Sequence, residues 1–228
     1  MGVGRPEAPR AALALLGLLS IGLWPASATA DRERVDAARV DWAAGRVVAG
    51  GTGIADRHAP SPAVALGTSR RGAEQAAKRR LAAKLGALPL ATGGTLASRL
   101  TDPAVRARVD AVVEAATTVA AEPETDGSWH VTLAVPIEAL RQAVAAPRAL
   151  AAAGDAGAPI VVVEGVTGKA AIGWTVADTA AASVWVNEVP AWAKDAPRVQ
   201  ARSARGGAIT VDAGAGTAAT LYVIVAKR

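Results

Sequence analysis

The sequence predicts an α+β fold: a two-layer module of antiparallel β-hairpins covered by a long amphipathic helix, followed by a small β-rich C-terminal unit. Three observations predict it. Apolar residues recur at helical spacing through residues 61–90. Short segments rich in β-branched residues and separated by turn residues stand on both sides of that helix. From about residue 159 onward, the apolar segments are short and strand-like.

The first 30 residues have the pattern of a secretion signal. An apolar run at residues 11–23 follows two arginines and precedes small residues at Ala28 and Ala30. The run is shorter than the roughly 20 residues that a membrane-spanning helix needs, and Pro25 follows it closely. We therefore expect cleavage after Ala30, with a site after Ala28 as the alternative. The mature chain would be exported to the periplasm or the cell surface.

The composition is typical of a globular protein and excludes thiol chemistry. Hydrophobic residues make up 51% of the chain and charged residues 20%, while Phe is absent and six Trp are the main large anchors. The chain has no Cys. This absence excludes disulfides, thiolate metal sites, a cysteine nucleophile and lipid attachment at an N-terminal cysteine. The net charge of +5 is mild and identifies no partner.

The first elements of the mature chain are predicted to form a short hairpin. Residues 40–42 and 46–49 have strand-like composition around Gly45, and Trp42 is the expected inward anchor. Residues 50–53, Gly-Gly-Thr-Gly, then resemble the start of a phosphate-binding loop. They lack the Gly-Lys-Ser/Thr that ends such a loop, so we interpret them as a strand-end turn or bulge rather than an anion site.

The long helix is predicted to begin at Ser61-Pro62 and to end around Gly86. Ser61 can accept a hydrogen bond from a first-turn N–H, Pro62 suits the first helical position, and Pro89 stops any continuation. An apolar arc on one side of the helix should pack on the sheet. The arc consists of Leu66, Ala73, Ala77, Leu81, Leu85 and Leu88.

The other faces of this helix carry the densest charge feature of the chain. Arg71, Lys78, Arg79 and Arg80 are the candidate partner-binding residues. They are spread around the helix and no aromatic residues are interleaved for base stacking, so nucleic acid is not the expected partner. Two interpretations stay open: a solvated helix face, or contact with an anionic component of the cell envelope.

A shorter helix and a strand are predicted next. Thr101 or Asp102 can cap the helix, with Pro103 at its first position. Residues 111–121 are rich in β-branched side chains, which predicts a strand.

The clearest hairpin of the chain follows. Residues 124–127 form the predicted turn, and apolar residues alternate strictly with polar or small ones through residues 129–135. Pro136 then begins a helix that Pro147 ends.

The C-terminal part is predicted to be separate in character from the rest. Residues 147–158 consist mainly of Ala, Gly and Pro and are the predicted linker. Residues 159–228 then hold six short strand-like segments, from which we expect a small antiparallel unit. The predicted organisation is a signal peptide at 1–30, an α/β module at 31–146, the linker, and this unit.

Catalytic, metal and cofactor sites are not expected. Asp56, His58 and Ser61 are the residue types of a hydrolase triad, but a triad is defined by geometry and Ser61 already has a capping role. With two histidines and no cysteine, a zinc site would need both His58 and His130 together with carboxylates. His130 should face away from Trp129, toward solvent.

The glycines and the long helix together carry a family resemblance. Residues 47–53, which end in Ala-Gly-Gly-Thr-Gly, and the later segment at residues 71–90 resemble the Lpp-twenty lipoprotein family, which is related to the N-terminal module of the flagellar assembly protein T. In that family an "ATGxG"-like strand precedes a helix of the form "RxAExxAxxxLlxxixgv". The hairpin and the strand-to-helix turn near residue 136 also stand in the expected order. The resemblance covers roughly residues 40–145, and residues 197–212 loosely.

The resemblance implies a small α/β module, a location in the cell envelope and no established catalytic residues. This chain differs from the family because it lacks the lipobox cysteine. Because it also has no partner-contact motif, the flagellar role of some family members is not expected for it. We therefore expect a non-enzymatic envelope protein that acts as a structural or assembly module through contacts with envelope proteins. The alternatives are binding of an anionic envelope polymer or lipid by the basic helix, and a hydrolase using His58. No membrane-spanning segment is expected after signal cleavage.

Overall fold

The architecture is that of an α+β protein, as the sequence predicts. The computed structural model describes residues 37–145, 160–212 and 219–227, and within these ranges it contains one antiparallel sheet of four strands and one mixed sheet of six. The predicted signal peptide at 1–30 and the predicted linker at 147–158 lie outside the described residues.

The first sheet is built from two hairpins that lie side by side. Its four strands are ordered β1-β2-β4-β3 and all neighbours are antiparallel. The strands are β1 (Arg39–Asp41), β2 (Arg46–Gly53), β3 (Thr117–Pro123) and β4 (Trp129–Pro136). The helices of this part are α1 (Pro62–Gly86), α2 (Leu96–Arg99), α3 (Pro103–Glu114) and α4 (Ile137–Val144).

Helix α1 has the predicted boundaries and covers β2 and β4. The Ser61 hydroxyl accepts a hydrogen bond from the Val64 backbone N–H at 3.3 Å, and Pro62 occupies the first helical position. The buried side of α1 is a row of residues spaced by four, and its middle members are alanines. This row consists of Ser69, Ala73, Ala77, Leu81 and Leu85. Small side chains in the row let the helix approach the sheet closely.

The glycines of β2 make that approach possible. A Cβ atom on Gly53 would lie 1.8 Å from the carbonyl oxygen of Ser69, and one on Gly51 would lie 2.2 Å from the carbonyl oxygen of Ala73. Residues 50–53 were expected to end the strand in a turn or bulge, and that prediction is wrong because β2 continues to Gly53. Gly51 and Gly53 are required there because the backbone of α1 occupies the space that side chains would need.

The buried row of α1 begins later than predicted. Leu66 was expected on the apolar arc, but it is 40% exposed. Ser69 takes the first buried position instead, and its hydroxyl lies 3.0 Å from the carbonyl oxygen of Gly127 in the β3–β4 turn. The contact with this turn holds the first turns of α1 and leaves Leu66 outside the core.

Helix α3 is longer than predicted, at the expense of the following strand. Residues 111–121 were expected to form a strand, but the helix continues to Glu114 and β3 begins at Thr117. Asp102 caps the helix by accepting a hydrogen bond from the Ala104 backbone N–H at 2.8 Å. Val105, Val109 and Val113 are spaced by four and all buried, so packing outweighs the strand preference of valine. The turn after β3, strand β4 and helix α4 agree with the prediction.

The C-terminal part forms a mixed sheet. Its strand order is β6-β9-β8-β5-β10-β7. The strands are β5 (Ile160–Val166), β6 (Thr175–Val176), β7 (Ala182–Val186), β8 (Arg198–Arg205), β9 (Ala208–Val211) and β10 (Leu221–Ala226), with a short 3-10 helix at Ala191–Ala193.

The antiparallel arrangement expected for this part is wrong. Strand β5 lies between β8 and β10 and is parallel to both, and β7 is parallel to β10; the β8–β9 pair is antiparallel. Val161, Val162 and Val163 of β5 are all fully buried. Burial on both faces is characteristic of parallel strands, which are covered on both sides.

Backbone hydrogen bonds join the two sheets. The Trp185 N–H on β7 donates to the Trp42 carbonyl after β1 at 3.0 Å, and the Ala91 N–H donates to the Ile172 carbonyl at 2.9 Å. The Trp42 side chain packs against the cores of both sheets. None of the helices in residues 37–145, 160–212 and 219–227 is long and apolar enough to cross a membrane.

We predict that Gly53→Ala strongly destabilises the protein, because the new methyl group would collide with the backbone of α1 rather than with a movable side chain. The expected loss is about 3 kcal/mol or more in the free energy of unfolding, measured by urea denaturation. Gly67→Ala is the matched control, since a Cβ there meets nothing within 4 Å and the change should stabilise α1 by up to about 1 kcal/mol. Equal stability of the two variants would contradict the close approach.

Candidate functional site

The four candidate residues on α1 do not form one surface. Arg80 lies about 180° around the helix from Arg71, and its Nη1 donates a hydrogen bond to the carbonyl oxygen of Gly50 at 2.7 Å. Lys78 forms an ion pair with Glu114 at the end of α3. Two of the four residues are thus engaged in contacts within the fold.

Arg71 and Arg79 are the members that remain available. Both are exposed, and neither forms an ion pair or hydrogen bond with the described part of the chain. They lie about 80° apart on the helix surface, with Ala82 and Ala83 exposed beyond them. The exposed Gln75 lies between them on the same face. This face therefore offers two cations with a neutral polar side chain between them.

Arg70 has a different role from its neighbour Arg71. Its guanidinium lies 5.3 Å from the ring centroid of Trp129, and its Nε donates to the Glu74 carboxylate at 3.2 Å. The arginine therefore covers the ring of a half-buried tryptophan while its charge stays at the surface.

A second exposed feature, which sequence reasoning missed, lies around the start of α1. Three large apolar side chains between residues 54 and 66 are exposed: Ile54 at 84%, Val64 at 43% and Leu66 at 40%. We call Ile54, Val64 and Leu66 the apolar end. Helical periodicity could not reveal it, because the spacing places Leu66 on the buried side.

The β3–β4 turn supports the apolar end. Gly127 adopts a φ of +81°, and both Ala55 and the Leu66 side chain lie beside it. The Asp126 carboxylate accepts hydrogen bonds from the Ser128 hydroxyl at 2.6 Å and the Ser128 N–H at 2.9 Å. These bonds lower the pKa of Asp126 below its usual value, so the ionised form that holds the turn is favoured.

The residues of the hydrolase hypothesis lie in the loop before α1. His58 has a 97% exposed side chain, and its Nδ1 lies 3.7 Å from the Asp56 carboxylate. The Ser61 hydroxyl serves as the cap of α1. The structure therefore places Asp56 beside His58, while the serine contacts the helix end.

His130 faces away from the core side of β4, as predicted, but it is not solvent-exposed. It is 1% exposed, and its Nδ1 lies 3.4 Å from the Thr52 hydroxyl on the neighbouring strand. The expectation of exposure is therefore wrong. His130 stands on an inner strand, with Thr52 of β2 and Glu122 of β3 as its cross-strand neighbours.

Comparison with known proteins adds no family. No family model matches the chain, and a search of curated proteins finds no significant match. Among the described residues there is also no group of three or more His, Cys, Asp or Glu side chains that could hold a metal ion.

We predict that Arg80 and Arg79 differ in their effect on stability. Arg80→Met removes the donor to the buried Gly50 carbonyl and should cost about 1 kcal/mol in the free energy of unfolding. Arg79→Met removes an exposed cation and should change it by less than about 0.5 kcal/mol. Chemical denaturation of both variants measures the difference; a larger loss in Arg79→Met would refute the division of the cluster into structural and available residues.

Proposed function

We propose that this chain is a non-enzymatic, exported envelope protein that works as a structural or assembly module through contacts with other envelope proteins. The N-terminal signal pattern supports export, and the Lpp-twenty resemblance supports an envelope module. The observation that carries the contact function is the apolar end, an exposed hydrophobic feature on an otherwise well-packed domain.

The apolar end is suited to a protein contact for physical reasons. Single exposed apolar residues are normal on a protein surface, but three of them within residues 54–66 favour an interaction site in this part of the chain. Ile54, at 84% exposure, contributes nothing to the core of this chain, so burying its side chain against a partner would be favourable. The β3–β4 turn and the Ser61 cap hold the neighbouring backbone in place, which lowers the entropic cost of binding.

We predict that the double variant Ile54→Glu/Leu66→Glu loses its envelope partner. Both side chains are exposed, so the free energy of unfolding should change little, whereas two charges at a hydrophobic contact should lower the yield of a crosslinked complex by about tenfold or more. The measurement is quantitative crosslinking in intact cells followed by purification of the protein.

The matched control is Trp192→Glu, which replaces a 57% exposed apolar residue of the C-terminal part. It should leave the crosslinked yield unchanged. Recovery of the wild-type protein as a soluble monomer without any crosslinked partner would overturn the proposed function.

A second candidate function is binding of an anionic envelope polymer or lipid through Arg71 and Arg79. The specific observation in its favour is that these two exposed cations have no partner in the described part of the chain. Binding of this kind would be electrostatic and would weaken as salt is raised.

We expect the double charge reversal Arg71→Glu/Arg79→Glu to distinguish this candidate. If an anionic polymer or lipid is the ligand, the reversal should abolish salt-sensitive association with isolated envelopes. Lys169→Glu/Lys194→Glu changes the net charge equally on the C-terminal part, where both lysines are exposed, and serves as the control. Association that both double variants keep would exclude the electrostatic candidate.

A further inference from the structure

The outer side of strand β3 is a long strand edge without a neighbouring strand. In the described part of the chain, the other edge strands are short or joined to a neighbour. Strands β1 and β6 have three and two residues, and β7 is joined to the residue after β1 by the bond from the Trp185 N–H to the Trp42 carbonyl. Strand β3 has seven residues and is paired only with β4. We call its outer side the free edge.

The composition of the free edge favours pairing with another chain. Its first five residues, Thr-Thr-Val-Ala-Ala, are uncharged, and the first three of them are exposed. Glu122 is the single charged residue of the strand, and β3 contains no Lys, the residue that often protects a strand edge. Unpaired backbone N–H and C=O groups on an edge of this kind favour association with a second strand.

The backbone groups of β3 point alternately toward β4 and away from it. The Glu124 N–H donates to the Ser128 carbonyl at 2.8 Å, which closes the β3–β4 hairpin. Counted back from this pair, the backbone groups of Glu122 and Ala120 also face β4, whereas those of Ala121 face outward. Ala121 is therefore a residue to which a partner strand could bond.

One extra residue interrupts this alternation. Thr118 and Ala120 stand opposite consecutive residues of β4, so Val119 between them is the extra residue of a β-bulge. Because the backbone direction alternates along β4 as well, the partner of Thr118 faces β2, and the backbone groups of Thr118 point outward. Thr118 and Ala121 are thus three residues apart instead of two, a spacing that a regular partner strand cannot match.

The bulge is the protective feature in the middle of the strand. Pro123 has no N–H to donate, and it protects the end of the free edge. It leaves the outward groups of Thr118 and Ala121 unaffected. Only the spacing of these two residues prevents them from bonding to a second strand together.

We propose that the Val119 bulge keeps the free edge from pairing with β3 of a second copy of this chain. Without Val119, Thr118 and Ala121 would be two positions apart, and each would match the other residue of a second copy in an antiparallel pair. Glu122 would then stand opposite Thr117 of the other copy, so that no like charges meet. The bulge thus lets the protein keep a long, mostly uncharged edge without self-association. This inference concerns backbone groups of β3 and does not rest on the proposed function.

The test compares the self-association of the protein, purified from the cells that export it, by sedimentation equilibrium. Deletion of Val119 restores the regular spacing and should make self-association at least about tenfold tighter than in the wild type. The weight-average mass should rise toward that of a dimer. Val119→Ala is the matched control, because it keeps the bulge while it shortens the exposed side chain, and it should stay as monomeric as the wild type.

A second substitution shows whether the association uses the free edge. Ala121→Pro removes an outward N–H without removing a bond to β4, so in the deletion variant it should restore the monomer. If deletion of Val119 prevents folding, deletion of Thr118 takes its place. It removes the same extra residue, leaves Val119 in the position of Thr118, and should tighten self-association in the same way.

Four outcomes would overturn the proposal. The first is a folded deletion variant that is as monomeric as the wild type, and the second is equal association of Val119→Ala and the deletion variant. The third is association of the deletion variant that Ala121→Pro leaves unchanged. The fourth is a wild-type protein that already dimerises and loses the dimer on Ala121→Pro, because the free edge would then be unprotected in spite of the bulge.

Discussion

The close contact between the backbone of α1 and strand β2 is the constraint on which the rest of the first module depends. Gly51 and Gly53 leave no side chain between strand and helix, and Ala73 and Ala77 present small ones from the other side. Close packing of this kind gains dispersion energy over many atoms and tolerates no inserted methyl group. The buried side of the helix therefore carries alanines because the sheet that it covers leaves room only for small side chains.

This contact determines which surfaces of α1 can interact with a partner. Because the row from Ser69 to Leu85 faces the sheet, Arg80 lies close enough to donate a hydrogen bond to the Gly50 carbonyl. Arg80 therefore has a structural role. Arg71 and Arg79 are turned outward. The same orientation leaves Leu66 exposed one turn before the buried row begins, which creates part of the apolar end.

Local sequence signals correctly predicted those elements whose ends are determined by residues close to them in the sequence. The cap at Ser61, the turn around Asp126-Gly127 and the apolar alternation of β4 each lie within a few residues of the element that they define. The predicted boundaries of α1 and of β4 are confirmed. The long-range contacts were missed. The extension of β2 through Gly53 depends on a helix that passes over it, and the helical state of Val112 and Val113 depends on core packing of α3. A signal for the parallel pairing of β5 was present in its unbroken run of buried aliphatic residues, but short strands in a small unit led to the antiparallel expectation.

The candidate sites could be predicted only in part, for the same reason. The basic residues of α1 are visible in the sequence, but their division into structural and available ones requires the positions of Gly50 and Glu114.

Amide hydrogen exchange of the exported protein, measured by NMR, tests the central role of the α1–β2 contact most directly. If this contact is the most stable part of the first module, the amides of Gly51, Ala73 and Ala77 should exchange only through global unfolding, with protection equal to the full free energy of unfolding. Exchange of Ala73 and Ala77 that is as fast as that of Val64 in the first turn of α1 would contradict the account.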